Sequence, residues 1–153
     1  IGTWPFDNPQ YLSGYGERDI NEIYETYYQT LIAGMKTGFF SAVAHFDLPK
    51  KFGFRPAGEV KGEIEALQVC REQNLVIELN TAGRRKPVRE FYPAAPILAQ
   101  AQKLGLNVCL GSDAHRPEEV GEDFREALAL LCRLGFDHIA GWEKGIAVLH
   151  PIS

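Results

Sequence analysis

The sequence predicts an α/β fold made of repeated strand–helix units, with parallel strands covered by outer helices. Three observations predict it. Apolar stripes at helical spacing alternate along the chain with short apolar runs of strand length. The helices are expected to stop at Gly38, Asn74, Gly105 and Gly135, which stand 36, 31 and 30 positions apart, close to the ~30 residues of one strand–helix unit. Polar residues follow the strands: His45 and Asp47, Glu78 and Asn80, Asp113 and His115. Barrels of such units gather their functional groups at those strand ends. Four units are too few to close an ordinary eight-unit barrel, so residues 1–153 read as part of a single larger domain.

The elements follow in order. Ile20, Ile23, Tyr24, Tyr27, Leu31 and Met35 form the first helical stripe, opened by Asp19 and Glu22 in a capping-box arrangement. Lys36 and Gly38 close it, a cation in the last turn and a left-handed glycine beyond. Residues 39–44 read as a strand ending at His45. Val60, Ile64, Leu67 and Cys70 mark a second helix that stops at Asn74, and residues 75–79 form the next strand. Pro93 is placed to open a third helix whose apolar face carries Ile97, Leu98, Ala101 and Leu104. After Gly105 a strand runs through residues 108–111 towards Asp113. Phe124, Leu128, Leu131 and Leu134 define the fourth helix, and a weaker strand covers residues 138–141.

Composition describes a soluble globular chain, with 45% apolar and 24% charged residues. A net charge of −4 argues against a nucleic-acid-binding face, which needs basic surface. No apolar run reaches membrane-spanning length and no signal peptide is visible. Cys70, Cys109 and Cys132 are odd in number and far apart, which predicts buried free thiols in a reducing cytoplasm. The chain opens on Ile1, and the motifs below lead to the expectation that it begins inside a longer protein.

The segment Leu110-Gly111-Ser112-Asp113-Ala114-His115-Arg116-Pro117 is the most informative. If extended geometry persists to its end, Asp113 and His115 lie on one side of the backbone, where a carboxylate and an imidazole suit a divalent metal or proton transfer. On spacing alone the simpler reading is a capping Asp and a surface His. His45 ends an apolar strand, with Asp47 placed to orient its imidazole. Glu78 interrupts an apolar strand and is expected to meet a basic group or the substrate, or to make a structural ion pair. His138 and His150 have no companion ligands and read as structural or surface residues.

Three segments carry a family resemblance: Ala44-His45-Phe46-Asp47-Leu48-Pro49-Lys50-Lys51-Phe52-Gly53, Glu78-Leu79-Asn80-Thr81-Ala82-Gly83-Arg84-Arg85-Lys86-Pro87, and Gly111 through Gly121. With Tyr92-Pro93 they resemble the histidinol-phosphate phosphatases of the PHP (polymerase and histidinol phosphatase) family, from about Trp4-Pro5 to the end of the chain. The resemblance implies a distorted seven-stranded TIM-like barrel with a cluster of up to three divalent ions, zinc, manganese or iron. It implies hydrolysis of L-histidinol phosphate to L-histidinol and phosphate in histidine biosynthesis, with metal-lowered water pKa supplying the nucleophile. His45, Asp113 and His115 match metal-ligand positions, and Asp113 and His115 are also the catalytic candidates. The family's amino-terminal H-x-H motif and two later histidine positions are absent from these 153 residues. The expectation is therefore a carboxyl-terminal part whose other ligands lie elsewhere in the parent protein.

Lys50, Lys51, Arg84, Arg85, Lys86 and Arg116 all follow strand ends, which on an acidic chain points to an anionic substrate. Lys50, Arg85 and Arg116 are the expected phosphate contacts. No nucleotide-binding glycine loop is present. Two alternatives remain at this level: a PHP-type exonuclease or other phosphoesterase, and a truncated barrel part that binds partners without catalysing. Oligomeric state is left open.

Overall fold

The structure, a computed structural model, describes residues 17–152. Trp4 and Pro5, where the resemblance begins, lie outside the described residues. Helix α1 (Ile20–Met35) starts where Asp19, in extended backbone, accepts a 2.8 Å hydrogen bond from the Asn21 N–H. Its Tyr28 packs against α2 (Lys61–Glu72) at Gly62, where an added Cβ would stand 2.8 Å from the Tyr28 Cβ. The small residue is what lets the two helices approach so closely.

Three parallel strands follow the order β1 (Ala42–Val43), β2 (Val76–Asn80), β3 (Val108–Gly111). Ala42 faces Val76, and Ile77 to Asn80 face Val108 to Gly111 in register. One core cluster joins Tyr28, Phe46, Leu67, Cys70 and Ile77 between the first two helices and the sheet. A second joins Leu79, Leu98, Val108 and Leu131 beneath α3 (Ala95–Lys103) and α4 (Phe124–Arg133). Full burial of each large aliphatic side chain stabilises by about 1.5–3 kcal/mol. All four expected helix stops adopt left-handed backbone, Gly38, Gly105 and Gly135 without steric cost and Asn74 at φ 52.

Three expectations change. The strand expected over 39–44 shrinks to Ala42–Val43, with Phe39 and Phe40 exposed, because a strand needs backbone partners and not only apolar side chains. The third helix begins at Ala95 with Pro96 in its first turn, while Pro93 precedes it in a cis Tyr92–Pro93 peptide. The last strand is not a fourth parallel one. β4 (His138–Glu143) pairs antiparallel with β5 (Ile146–Pro151) through Lys144 and Gly145, both at positive φ, as a tight hairpin turn requires. Ala140 of this hairpin packs with Val76 and Cys109 of the parallel sheet. No helix among the described residues is long and apolar enough to cross a membrane.

After β2 the chain makes a 3-10 turn over Thr81–Arg85, seated against the segment before α3. A Cβ on Gly83 would lie 2.1 Å from the Glu90 carbonyl oxygen and 2.9 Å from Tyr92 Cε2. Since backbone must move to accept it, Gly83→Ala is expected to destabilise by about 3 kcal/mol or more. Urea unfolding of the intact protein should show a lower midpoint at unchanged slope; an unchanged midpoint would mean that this turn yields freely.

Candidate functional site

The three motif segments leave the carboxyl ends of β1, β2 and β3 side by side. His45 and Asp113 each come two residues after a strand, and both take left-handed backbone, at φ 51 and φ 47. Such conformations cost a non-glycine residue of order 1–2 kcal/mol and persist only where the surroundings impose them. Extended geometry therefore does not continue to Asp113, contrary to the strand-based expectation. The chain turns there, and His45 Nε2 comes to lie 3.8 Å from Asp113 Oδ2 across 68 positions of sequence. Both side chains are about one-third exposed, at 32% and 36%. The Tyr27 hydroxyl donates to the His45 carbonyl, and the Tyr92 ring meets the imidazole edge-on at 5.9 Å. His45 Nδ1 is buried without a hydrogen-bond partner among the described residues.

His115 is exposed, and its Nδ1 stands 2.9 Å from the Asp113 carbonyl oxygen. A carbonyl only accepts, so this contact assigns the proton to Nδ1 and leaves the Nε2 lone pair for a ligand. The His115 backbone N–H donates to Glu119 Oε2 at 2.8 Å. That hydrogen bond, together with the charges of Arg85 and Arg116, holds the Glu119 carboxyl below its usual range.

The basic residues divide sharply. Lys50 is fully buried; its ammonium contacts Asp47 Oδ2 at 2.7 Å, Glu90 Oε2 at 3.4 Å and the Phe91 carbonyl. Its donors are committed within the protein, so the expected phosphate contact at Lys50 is corrected to a structural one. Asp47 is likewise not the partner of His45: it pairs with Lys50 and accepts from the Ala94 N–H at 2.9 Å. Burial pushes the Asp47 carboxyl up, only partly opposed by the Lys50 charge and these hydrogen bonds. Arg84 pairs with Asp123 at 2.9 Å. Arg85 donates to Glu122 Oε2 at 3.0 Å and to the Ser112 carbonyl at 2.7 Å. Arg116 is exposed and, of the three expected phosphate contacts, is the one without an ion pair among the described residues.

Glu78 makes no ion pair among the described residues; it accepts from Asn80 Nδ2 at 3.0 Å. It lies so close over Gly111 that a Cβ there would reach within 1.9 Å of Glu78 Oε1. His138 is structural as expected, bonded to Asp137 and to Asn107 Oδ1. Cys70 and Cys109 are buried thiols whose pKa is pushed up to about 12, whereas Cys132 is exposed, against expectation. The sequence reading gave Glu119, Glu122 and Asp123 no role. Their signal is four carboxylates, Glu118, Glu119, Glu122 and Asp123, following His115 within one turn-rich loop, with two consecutive arginines at 84 and 85.

Among the described residues no group of three or more His, Cys, Asp and Glu side chains is disposed to hold a metal ion. The pair His45–Asp113 nevertheless fits one. Metal–nitrogen and metal–oxygen bonds of about 2.1 Å at a tetrahedral angle place two donors about 3.4 Å apart, near the 3.8 Å observed. The orphaned Nδ1 on the other side of the His45 ring leaves Nε2 as the nitrogen facing that point.

Comparison with known proteins gives the chain's relatives. The PHP-associated family profile matches residues 97–124. A Deinococcus radiodurans protein named as a probable histidinol-phosphatase is 44% identical over 84% of this chain and 49% of its own length. A Thermotoga maritima protein of the same name is 26% identical over 78% of this chain and 52% of its own. The crystal structure of hisK from Listeria monocytogenes, a candidate histidinol phosphatase, covers 67% of this chain and 44% of that one at 23% identity, with TM-score 0.57; it shares the fold. The chain thus spans about half the length of the Deinococcus and Thermotoga relatives it matches. By sequence it is similar to proteins named as probable histidinol-phosphatases and carries a match to the PHP-associated family profile.

Proposed function

We propose that the intact protein carrying this chain is a metal-dependent phosphomonoesterase that hydrolyses L-histidinol phosphate. In this reading the chain forms the carboxyl-terminal part of a distorted TIM-like barrel in a cytoplasmic enzyme. The observation that carries it is the approach of His45 Nε2 to Asp113 Oδ2 at 3.8 Å, at the strand ends of a chain so closely related to a probable histidinol-phosphatase. His45, Asp113 and the Nε2 of His115 would hold divalent metal, which when bound polarises phosphate oxygens and lowers the pKa of water. Further ligands of a cluster would come from outside the described residues. Arg116 neutralises the phosphate, and Arg85 acts on the loop that bears Asp113 and His115.

The test is phosphate release by the purified intact protein from L-histidinol phosphate and from a nucleoside monophosphate. Preferred turnover of histidinol phosphate, lost on chelation, is expected; preference for the nucleotide would replace this reading with the broader phosphoesterase one. Arg116→Gln should lower kcat/KM by about ten- to a hundred-fold, the equivalent of one charge-assisted hydrogen bond, while metal content stays unchanged. Unchanged kcat/KM in that variant would remove Arg116 from the phosphate site.

A further inference from the structure

Outside the facing pair, a dense set of charged contacts ties down the loop after β3. From Ser112 to Asp123 this loop has only one 3-10 turn, Pro117–Glu119, and no strand partner. A loop of this length with so little internal structure needs external ties to hold a side chain in place. Those ties come from the turn after β2. Arg85 Nη2 donates to the Ser112 carbonyl at 2.7 Å and stands 3.7 Å from Glu119 Oε2, while Nη1 donates to Glu122 at 3.0 Å. The fully buried Thr81 donates through its hydroxyl to the Glu122 carbonyl at 2.7 Å. Arg84 holds Asp123, and Ser112 Oγ accepts from the Gly121 N–H at 3.3 Å. Within this frame the same Glu119 oxygen that faces Arg85 takes the backbone N–H of His115.

We propose that Glu119 is a positioning residue. Held by Arg85, its carboxylate fixes the His115 backbone, and with it the Asp113–His115 turn, so that both side chains keep the geometry a ligand at the site needs. This deepens the metal-site reading and rests on it for its functional consequence. The arginine is thereby assigned to the loop instead of the substrate: it braces the turn at both ends, Ser112 and Glu119 to Glu122. The geometry also separates the roles of the two acidic neighbours, since Glu118 is exposed and enters none of these contacts.

The experiment compares Glu119→Ala and Glu119→Gln in the intact protein. The glutamine keeps an oxygen that accepts from the His115 N–H. Three quantities are read: manganese affinity, kcat and KM for histidinol phosphate, and hydrogen exchange of the amides in residues 112–122. Removing such an outer partner typically costs about ten- to a hundred-fold in affinity or activity. Glu119→Ala should therefore bind manganese more weakly and lose kcat by that factor, with KM changed less than about threefold and the loop amides exchanging faster. Glu119→Gln should restore most of both. An alanine variant with wild-type manganese affinity, kcat and exchange overturns the proposal, and so does a glutamine variant as impaired as the alanine. If the wild-type protein neither binds manganese nor releases phosphate, the metal-site reading fails by itself. In that case the exchange comparison still decides whether Glu119 fixes this turn.

Discussion

Lys50→Met in the intact protein should lose about 3–5 kcal/mol of stability, the usual cost of leaving one member of a buried ion pair without its partner. Lys50 is 0% and Asp47 2% exposed, with 2.7 Å between their charged atoms, so the remaining carboxylate would have no water and only the weaker influence of the Arg55 charge. The ammonium also ties the turn after β1 to Glu90 and Phe91, so its loss releases two segments at once. The pH dependence follows from the sign of the Asp47 shift. Its folded pKa is raised by burial, so its contribution is fully present below the unfolded value and is lost as pH rises through the folded one. Without Lys50 that shift grows. The deficit of Lys50→Met should accordingly shrink in acid, where Asp47 is protonated, and widen towards neutrality. Replacing both residues, as Lys50→Met with Asp47→Leu, should recover much of the loss, since no charge is then buried. A single variant as stable as the wild type across this range would mean that water reaches the pair.

The reach of the sequence can be judged from these same residues. Helices were legible because apolar spacing and stop residues are local signals: the stripes around Leu67 and Leu131 and all four left-handed stops stand where periodicity put them. Strand pairing was less so. The run 138–141 looks like its parallel predecessors, and only the Lys144-Gly145 turn and its partner β5 decide that it forms a hairpin. At the site, position after a strand was enough to single out His45 and Asp113, although the left-handed turns that bring them together were not foreseen. Which cations are free to meet a ligand was not legible, for a physical reason. Charge after a strand end reports that a cation is there, whereas its availability depends on burial and on acids distant in sequence. Lys50 meets Glu90 from 40 positions away, and Arg85 meets Glu122 from 37. No spacing rule contains those pairs.

The largest functional effect belongs to Asp113. Its backbone at φ 47 is one that Asn and Gly also accept, so Asp113→Asn and Asp113→Gly should fold. Each removes the carboxylate charge that faces His45 Nε2, the charge on which the proposed cation site depends. If the metal supplies several kcal/mol of transition-state stabilisation, losing it lowers kcat/KM by at least about a hundred-fold. Bound metal should fall in parallel, and His45→Ala should reproduce both losses. The glycine variant separates function from folding more strictly. A left-handed aspartate held in place for chemistry carries strain that glycine relieves, so Asp113→Gly should be as stable as the wild type or more stable, by up to about 1 kcal/mol. Inactivity combined with undiminished stability is the signature of a residue kept for its carboxylate. Inactivity combined with a collapsed unfolding midpoint would instead make Asp113 a structural residue. Full activity with normal metal content would dissolve the site, leaving the approach to His45 as an incidental contact between two loops.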